Sequence, residues 1–594
     1  MFKSKNLVDF KRRLKRIQGI SGFFFIGIVF AVLLLMIGHG HILYQGADEQ
    51  FHYNRIYELY RNMQHGNFFP TISTYSANQI GSSVITMYPS LPNYLGALLL
   101  FVFPRVPAIY LLIWIQWMVQ YVIARYVSRQ MGLTNGESFT VAVLFTTATP
   151  LVTQTIQQWL FGEVWAMSFM PLILLGLYRI AKKFCFDNKS TNLQKVDFQI
   201  IWPLAIGFAL MLNCHVLSSA ILFVYTAIFS LIVFIFGKKR LNFLLQMFIA
   251  GVWAFLLSAG FLVPFLYNSA TNRLLTPQPY DYLSTWAAPG VKDIFHSSFS
   301  FFSNTIGFIS IISLILGALL FFTPKYGKKL KALYIAAVLL TLAGTRYVWV
   351  HIYNSPLGII QFPHRVFVVA IFVLSILIVL STRKLFKNKV VQKTLMGLLV
   401  TVSVLLMFVG ARNHWLNTMR ATSSNVNYVP SESHKLPAPF SGTNFYTKSN
   451  TTDNLTKYWE TFGAFDYLPQ NIKLSSELLA HKVVVNGEVF EKTNYQSLPN
   501  GIEYTGHFKS GEAKLPLIYY KGNYKVTDQS GRTLDYYVNG EKQFVVQTEK
   551  DTTEIKVVRK HSILEISSYV ISLITWIATL VFFIHRKRFV KGEG

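Results

Sequence analysis

The chain has 594 residues, of which 52% are hydrophobic and only 14% are charged. This composition excludes an ordinary soluble protein and indicates a polytopic membrane protein. Basic residues outnumber acidic ones by 55 to 27, but most Lys and Arg stand in short clusters between apolar runs. Such clusters are typical of the cytoplasmic ends of membrane spans, so we expect no nucleic-acid partner.

The N-terminal residues 1–20 are strongly basic, and a long apolar run follows them. A cleavable signal peptide has a shorter apolar region and a small-residue cleavage site, so we predict a basic cytoplasmic N-terminus and a retained first span. With roughly 20 apolar residues per span, we predict twelve spans. They lie near 21–43, 107–127, 138–157, 163–181, 198–213, 216–236, 243–266, 304–322, 331–345, 364–381, 393–410 and 563–585.

The stretch 90–104 is also apolar, but it is short and bracketed by prolines. Counting it as a span would place five downstream basic clusters outside the cell, whereas a helix lying in the outer interface leaves all of them inside. The sequence therefore predicts a transmembrane domain over 21–410 with cytoplasmic termini. Its first outer loop, 44–106, would hold interfacial helices.

Residues 411–562 are polar and rich in tyrosine, and they end in alternating runs such as "TEIKVV" separated by turns such as "VNGE". This pattern predicts an extracytoplasmic β-rich domain, followed by the final span at 563–585 and a basic cytoplasmic tail at 586–594. The two cysteines, Cys185 and Cys214, lie outside this domain, so it must fold without disulfides.

The stretch "GADEQFHYNRIYELY" (46–60) places charged residues directly beyond the first span. If 48–63 is a helix, Asp48, His52 and Arg55 lie within about 60° on one face. Asp48 could then act as a general base or bind a divalent cation, and Arg55 could bind a phosphate. The alternative is a capped amphipathic helix with Asp48 at its positive end.

The predicted topology places further polar side chains on the same outer side. They are Glu163, His215, Asp281, Gln361, His364 and Arg365. Each also has a structural explanation: Glu163 can complement a helix N-terminus, His215 can satisfy a turn, and Asp281 can be a solvated loop charge. Arg365 could be an interfacial anchor. Together, carboxylates and an arginine at the membrane surface suit a lipid-linked phosphate donor.

The sequence contains no Walker loop, dinucleotide-binding fingerprint, HExxH motif or GxSxG motif. ATP-driven transport by this chain alone is therefore not expected. A reaction at the outer surface would need a donor that is energised elsewhere.

Four stretches, "GADEQFHYNRIYELYRNMQHGNFFP", "MYPSLPNYLGALLL", "FGEVWAMSFMPLILLGLYRI" and "QFPHRV", together resemble YfhO-like bacterial membrane proteins. That group is similar to the GT-C superfamily of polytopic glycosyltransferases, and the resemblance covers about 40–410. It implies a GT-C-like fold, a polyprenyl-phosphate-sugar donor and an acidic motif in the first outer loop.

On this resemblance, Asp48 matches the acidic residue of the first loop and Glu163 matches a "GE" at a span entrance. Gln361, Pro363 and Arg365 match a "QFPWR"-like motif, in which His364 replaces the tryptophan. We expect Asp48, His52 and Glu163 to be catalytic. The expected substrate-binding residues are Arg55, His215, Asp281, Gln361, His364 and Arg365.

The resulting prediction is a glycosyltransferase of the bacterial cytoplasmic membrane that works on its outer face. Its partners would be a polyprenyl-phosphate-linked sugar, the lipid bilayer and a cell-envelope glycopolymer or lipid acceptor. A divalent cation, Mg²⁺ or Mn²⁺, at Asp48 is left open. The alternatives are a lipid or polysaccharide translocator and an envelope-assembly scaffold without catalytic activity.

Overall fold

A computed structural model of the chain describes residues 2–38, 43–44, 48–186, 196–275, 289–300, 304–324, 326–421, 445–446, 460, 466–491 and 493–592. In this part of the chain a helical bundle is followed by two β-sheets and a final helix. The predicted fold class, a polytopic helical protein with a C-terminal β-rich domain, is confirmed.

The helices that precede the sheets are numbered in chain order. They are α1 (Phe2–Gly38), α2 (Glu49–Gln64), α3 (Val84–Met87), α4 (Leu91–Leu100), α5 (Arg105–Gln130), α6 (Asn135–Thr146), α7 (Thr149–Val152), α8 (Phe161–Ala181), α9 (Phe198–Leu212), α10 (Val216–Phe236), α11 (Arg240–Thr271), α12 (Val291–Ser298), α13 (Phe308–Phe321), α14 (Lys328–Ala343), α15 (Arg346–Trp349), α16 (Phe367–Leu385) and α17 (Lys389–Ala421). A short helix, Ser476–Leu479, precedes the sheets, and the final helix is Ile563–Gly592.

Each of the twelve predicted spans contains a helix, but the helices differ in length. In the described part of the chain, eight are long and apolar enough to cross a membrane. A ninth candidate is α6 with the helical stretch Thr149–Gln157, which is bent by 49°. The other three, α9, α13 and α14, have 15, 14 and 16 residues. At 1.5 Å per residue they rise about 21–24 Å, which is less than the roughly 30 Å of a hydrocarbon core.

The predicted interfacial helix corresponds to α4, which has 10 residues. It rises about 15 Å, only half of a hydrocarbon core, so it is too short to span. Its exposed apolar side chains, Leu91 and Leu98, continue into the exposed residues Phe101, Val102 and Phe103. This pattern fits a helix that lies along an apolar boundary.

The described strands form one two-stranded antiparallel sheet, which joins the start of the chain to the C-terminal region, and two larger antiparallel sheets in the C-terminal region. The strands are β1 (Leu43–Tyr44), β2 (Phe445–Tyr446), β3 (Val483–Val485), β4 (Glu488–Phe490), β5 (Asn494–Leu498), β6 (Gly501–Thr505), β7 (Gly511–Ile518), β8 (Asn523–Thr527), β9 (Tyr536–Val538), β10 (Gln543–Thr548) and β11 (Glu554–Lys560). One of the larger sheets has the order β4-β3-β7-β10-β9 and the other has the order β5-β6-β11-β8. Alternate residues of β11 are buried, as the run "TEIKVV" predicts.

The β-rich domain is bonded to the loop between α2 and α4. Thr71 N donates to Asn500 Oδ1 at 2.7 Å, and Thr74 Oγ1 donates to the Leu498 carbonyl at 2.7 Å. Gly81 has a φ of +79°, and a Cβ there would lie 2.6 Å from the Leu517 side chain. Ile72, Ile80 and Met87 of the loop belong to the hydrophobic core of the β-rich domain. The loop and the domain therefore share one core.

Glu58 of α2 organises the same loop. Its Oε1 accepts from Thr74 N at 3.0 Å and from Asn62 Nδ2 at 2.8 Å. Its Oε2 accepts from Tyr75 N at 2.9 Å and from Ser76 Oγ at 3.0 Å. Glu58 is fully buried, so these four donors replace the water that the carboxylate loses. No motif or periodicity in the sequence marks this residue.

Candidate functional site

The candidate site lies where five connections meet: the start of α2, the turn after α3, the start of α8, the α9–α10 turn and the turn before α16. Asp48 N donates to the Gln158 carbonyl at 3.1 Å, and Leu91 N donates to the Asn213 carbonyl at 3.1 Å. A Cβ at Gly162 would lie 2.8 Å from Tyr88 Oη and 3.0 Å from the Cys214 carbonyl. Glycine is required there because the segments approach so closely.

Asp48 stands at the N-cap position of α2, but its side chain makes no capping hydrogen bond. The structure therefore places Asp48 at the positive end of α2, as the structural alternative predicts, but without a side-chain capping bond. Burial raises the pKa of Asp48 to about 7; the positive charge of Arg365 opposes this effect, and Glu163 and Asp466 add to it. Asp48 is half-buried. A half-buried carboxylate with a pKa near neutrality is suited to accept a proton.

Glu163 and Arg365 form a buried ion pair, with Arg365 Nε 2.7 Å from Glu163 Oε2. Arg365 Nη1 also donates to the Ile360 carbonyl at 2.8 Å, and the guanidinium lies 5.1 Å from the centre of the Phe362 ring. Among the described residues, Glu163 Oε1 and Arg365 Nη2 have no hydrogen-bond partner. The pair therefore retains an acceptor oxygen and several N–H donors for a ligand.

His52 and Arg55 are buried on the predicted face of α2. Arg55 Nη2 donates to the carbonyls of Tyr88 and Pro89 at 2.9 and 2.6 Å, and to Ser90 Oγ at 2.9 Å. Its guanidinium lies 4.5 Å from the centre of the Tyr88 ring. Arg55 therefore holds the turn after α3, and its predicted contact with substrate stays a prediction.

His52 lies between Arg55 and aromatic rings. Arg55 Nη1 lies 3.4 Å from His52 Nδ1, and the Phe161 ring centre is 5.4 Å from that of His52. Burial first, and then the positive charge of Arg55, lower the pKa of His52 well below its usual value. At neutral pH His52 is therefore an uncharged imidazole next to the site.

His215 caps α10, as its structural explanation predicts. Its Nδ1 accepts from Ser218 N at 3.1 Å and lies 2.7 Å from Ser218 Oγ. The His215 ring centre also lies 5.6 Å from that of Tyr88, so the cap borders the site. Its predicted role in substrate binding stays a prediction.

Gln361 and His364 lie on the same turn before α16 as Arg365. Gln361 follows the 3-10 turn Pro356–Ile360 and has a φ of +61°. His364 lies in the turn Pro363–Val366, but its side chain is outside the described part of the chain. Asp281 lies outside the described residues altogether.

Three residues beside the site adopt the left-handed backbone region although none is glycine. Trp159, Gln361 and Tyr467 have φ values of +55°, +61° and +63°. This conformation costs about 1–2 kcal/mol per residue, and it persists only where surrounding contacts enforce it. Trp159 lies four residues before Glu163 and Gln361 lies four residues before Arg365. Tyr467 directly follows Asp466. Three of the eleven such residues in the described part of the chain therefore lie next to these charged groups.

Three residues beside the site, Tyr88, Asp466 and Tyr467, were not among the predicted site residues. The ring centre of Tyr88 lies 5.0 Å from that of Phe51 and 5.6 Å from that of His52. Asp466 and Tyr467 precede the β-sheets, and no periodicity or motif connects them with Asp48. For Tyr88, the signal was the proline-bracketed stretch "MYPSLP", which marks a turn without indicating what it contacts.

No protein-family model matches the chain, and no curated protein matches it. Among solved structures, the arabinofuranosyltransferase AftD from Mycobacteria is similar over 68% of this chain and 27% of its own, at 14% identity and a TM-score of 0.42. ArnT from Cupriavidus metallidurans, bound to undecaprenyl phosphate, is similar over 62% of this chain and 78% of its own, at 9% identity and a TM-score of 0.27.

The chain thus spans about a quarter of the length of the arabinofuranosyltransferase. At these TM-scores neither similarity assigns a function to it. The resemblance to YfhO-like proteins, which rests on short stretches of sequence, stays a prediction.

A cation site around Asp48 was left open by the sequence. In the described part of the chain, no three side chains of the His, Cys, Asp and Glu types are grouped to hold a metal ion. The negative charge of Glu163 raises the pKa of Asp48, but Glu163 is already paired with Arg365. Mg²⁺ and Mn²⁺ prefer several oxygen ligands, so a divalent cation at Asp48 stays a prediction.

Proposed function

We propose that the chain is a membrane glycosyltransferase that transfers a sugar from a polyprenyl-phosphate donor to a cell-envelope acceptor. The observation that carries this proposal is the position of Asp48. It is a half-buried carboxylate that makes no capping hydrogen bond and lies beside the Glu163–Arg365 ion pair. A proton acceptor and an arginine at one site are what the transfer of a phosphate-linked sugar requires.

In the proposed reaction, an acceptor hydroxyl attacks the anomeric carbon of the sugar. Asp48 takes the hydroxyl proton as the new glycosidic bond forms. The bond between the anomeric carbon and the phosphate oxygen breaks, and its electron pair leaves with polyprenyl phosphate. Arg365 stabilises the charge on that phosphate, and electrostatic stabilisation of this kind is commonly the largest contribution to catalysis.

The surrounding residues would position these two groups. Glu163 holds the Arg365 guanidinium through Nε, which directs Nη2 towards the phosphate. Arg55 fixes the turn after α3, and its own Nη2 is engaged by three acceptors. We therefore propose that Arg55 and His52 orient the site. Inversion at the anomeric carbon, an outer-face location and a bacterial cytoplasmic membrane are further parts of the proposal.

The test is the release of undecaprenyl phosphate from an undecaprenyl-phosphate sugar by the purified full-length protein. Undecaprenyl phosphate is the ligand to try first because the ArnT structure contains it. Asp48→Asn removes the proton acceptor with little change of shape, so the rate should fall by about 10²–10⁴-fold. The matched control is Asp551→Asn in an exposed turn of the β-rich domain.

If the wild type turns over and Asp48→Asn does so at the same rate, Asp48 takes no part in the chemistry. No release by the wild type with any sugar, combined with movement of lipid across a vesicle membrane, would favour the translocator instead.

A further inference from the structure

A cluster of polar side chains lies between α5 and α8, inside the helical bundle. Gln116 and Gln120 stand one turn apart on α5, and Ser168 stands on α8. All three are fully buried, and both helices are candidate membrane spans. Gln116 lies about 16 Å along the helix axis from the start of α5 at Arg105. Polar groups at such a depth are candidates for a functional role, because an apolar surrounding makes them costly.

Hydrogen bonds join this cluster to the first turns of α8. Gln116 Nε2 donates to Ser168 Oγ at 2.9 Å, and Ser168 Oγ donates to the Val164 carbonyl at 2.8 Å. Gln116 Nε2 also lies 3.4 Å from the Val164 carbonyl. Val164 directly follows Glu163, whose Oε2 is 2.7 Å from Arg365 Nε. Gln116 therefore holds the backbone of the turn that carries one half of the ion pair.

The two glutamines are only partly satisfied by each other. Gln116 Nε2 donates to Gln120 Oε1 at 3.1 Å. Among the described residues, Gln116 Oε1 and Gln120 Nε2 have no hydrogen-bond partner. A buried polar group without a partner is destabilising, and apolar side chains of the same shape can replace such a pair at little cost or with a gain. The stability of the bundle therefore does not require these two amides.

Gln246 on α11 shows what a structural glutamine looks like in the same bundle. It is also fully buried. Its Oε1 accepts from Asp197 N at 2.9 Å, and its Nε2 donates to Asn242 Oδ1 at 3.0 Å. Both ends of this amide are engaged, and it ties the start of α9 to α11. Loss of the Gln246 amide would leave a backbone N–H without its acceptor.

We propose that Gln116, together with Gln120 and Ser168, is a positioning residue for the Glu163–Arg365 pair. The inference rests on the proposed function. Gln116 fixes the rotation of the first turn of α8, and this sets the direction in which Glu163 holds the Arg365 guanidinium. A planar guanidinium binds a phosphate well only in the correct orientation, so a small rotation of this turn weakens donor binding.

The test measures two properties of the purified full-length protein: its Kd for undecaprenyl phosphate and its thermal midpoint without ligand. The variant Gln116→Met/Gln120→Met replaces both amides with apolar side chains of similar length. Its Kd should rise about tenfold or more, because Arg365 is no longer correctly oriented. Its thermal midpoint should stay the same or rise, because the unpaired polar groups are gone. Ser168→Ala should raise the Kd in the same direction.

A second measurement asks whether the glutamines act through Arg365. In an Arg365→Lys background the guanidinium is absent, so there is no planar group to position. The two Gln→Met changes should then raise the Kd by less than about twofold further. An equal rise in both backgrounds would show that the glutamines do not act through this arginine, and it would overturn the proposal.

Two variants of the same chemistry serve as controls. Gln246→Met should lower the thermal midpoint and leave the Kd unchanged, because it removes only a structural amide. Ser375 on α16 makes the same kind of helical bond as Ser168, from its Oγ to the Ile371 carbonyl at 2.8 Å, but no glutamine contacts it. Ser375→Ala should therefore change the Kd by less than about twofold.

An unchanged Kd in Gln116→Met/Gln120→Met would overturn the positioning role. A raised Kd accompanied by a lowered thermal midpoint would also overturn it, because a merely structural role predicts that result. Failure of the proposed function has a different signature: the wild type would neither bind undecaprenyl phosphate nor release it from a sugar donor, and the positioning role would then fall as well.

Discussion

Glu163 and Arg365, which lie 202 positions apart in the chain, form an ion pair with Nε and Oε2 2.7 Å apart. Their side chains are 2% and 7% exposed. A buried pair of this kind is expensive to break, because removing one partner leaves the other charge buried and uncompensated. The pair therefore couples the start of α8 to the turn before α16.

This coupling predicts a non-additive double-mutant cycle. Glu163→Gln and Arg365→Gln should each destabilise the protein by about 3–5 kcal/mol. The double variant should lose less than the sum, with an interaction energy of about 1–3 kcal/mol. Thermal midpoints in detergent, measured with and without undecaprenyl phosphate, provide the check. Additive losses would mean that the two side chains do not act as a pair.

Arg365→Lys keeps the positive charge but removes the planar guanidinium. Lysine can still pair with Glu163, but it cannot also reach the Ile360 carbonyl and a phosphate in the same geometry. The affinity for undecaprenyl phosphate should therefore fall by about tenfold, while the thermal midpoint should fall less than in Arg365→Gln. The matched control is Arg346→Lys, whose partner Asp293 lies in a partly exposed ion pair.

The pKa of Asp48 predicts the pH dependence of the reaction. The proton acceptor must be ionised, and its pKa is near 7. The wild-type kcat/KM should therefore rise about tenfold per pH unit below neutrality and level off above it. Asp48→Glu should keep an acidic limb at a shifted position. A flat profile between pH 5 and pH 8 would contradict an essential base with this pKa.

Ionisation of Asp48, which activates the reaction, should lower the stability of the folded protein. Its folded pKa is raised above the unfolded value, so its contribution to stability is complete below about pH 4 and is lost as the pH rises through about 7. The wild-type thermal midpoint should therefore decrease over this interval more than that of Asp48→Asn. Activity would then be highest above the pKa of Asp48, and stability would be highest below it.

Glu58 provides a contrast with Asp48, because its carboxylate accepts four hydrogen bonds within the protein. Glu58→Gln would turn an NH₂ group towards two of these donors. The variant should lose about 2–4 kcal/mol of stability, and protease should cut the loop between α2 and α4 more readily. Gln64→Glu on the exposed end of α2 is a control for a charge change on the same helix.

The predicted topology can be tested by cysteine labelling in intact cells. In a Cys185→Ser background, Gln64→Cys and Asp551→Cys should react with an impermeant maleimide, and Lys387→Cys should react only after permeabilisation. All three positions are exposed in the structure, so a lack of labelling cannot be ascribed to burial. Labelling of Lys387→Cys in intact cells would show that the predicted orientation is wrong.

Much of the fold follows from the sequence, because hydropathy and charge are local signals. The bend between α6 and the stretch 149–157 also had a local signal, Pro150, whose ring cannot continue the hydrogen bonding of α6. The three shorter helices were predicted as full spans because apolar runs alone do not report where a helix ends. Similarly, α17 continues to Ala421, past the predicted boundary at 410.

The site was predictable only in part. Asp48, Glu163 and Arg365 each stand at the end of an apolar run, and that position made them candidates. The pairing of Glu163 with Arg365 is a tertiary contact that no periodicity encodes. Arg55 lies on the predicted buried face of α2, but the sequence could not show that its hydrogen bonds go to the turn after α3.

The hydrogen bond from Thr71 N to Asn500 Oδ1 joins residues 429 positions apart. At a synthesis rate of about 5–20 residues per second, the loop between α2 and α4 emerges on the order of 20–90 s before its partner exists. During this interval Ile72, Ile80 and Met87 lack the core in which they are buried. The order of synthesis therefore leaves the apolar side chains of the earliest loop without their native core until the last domain has been made.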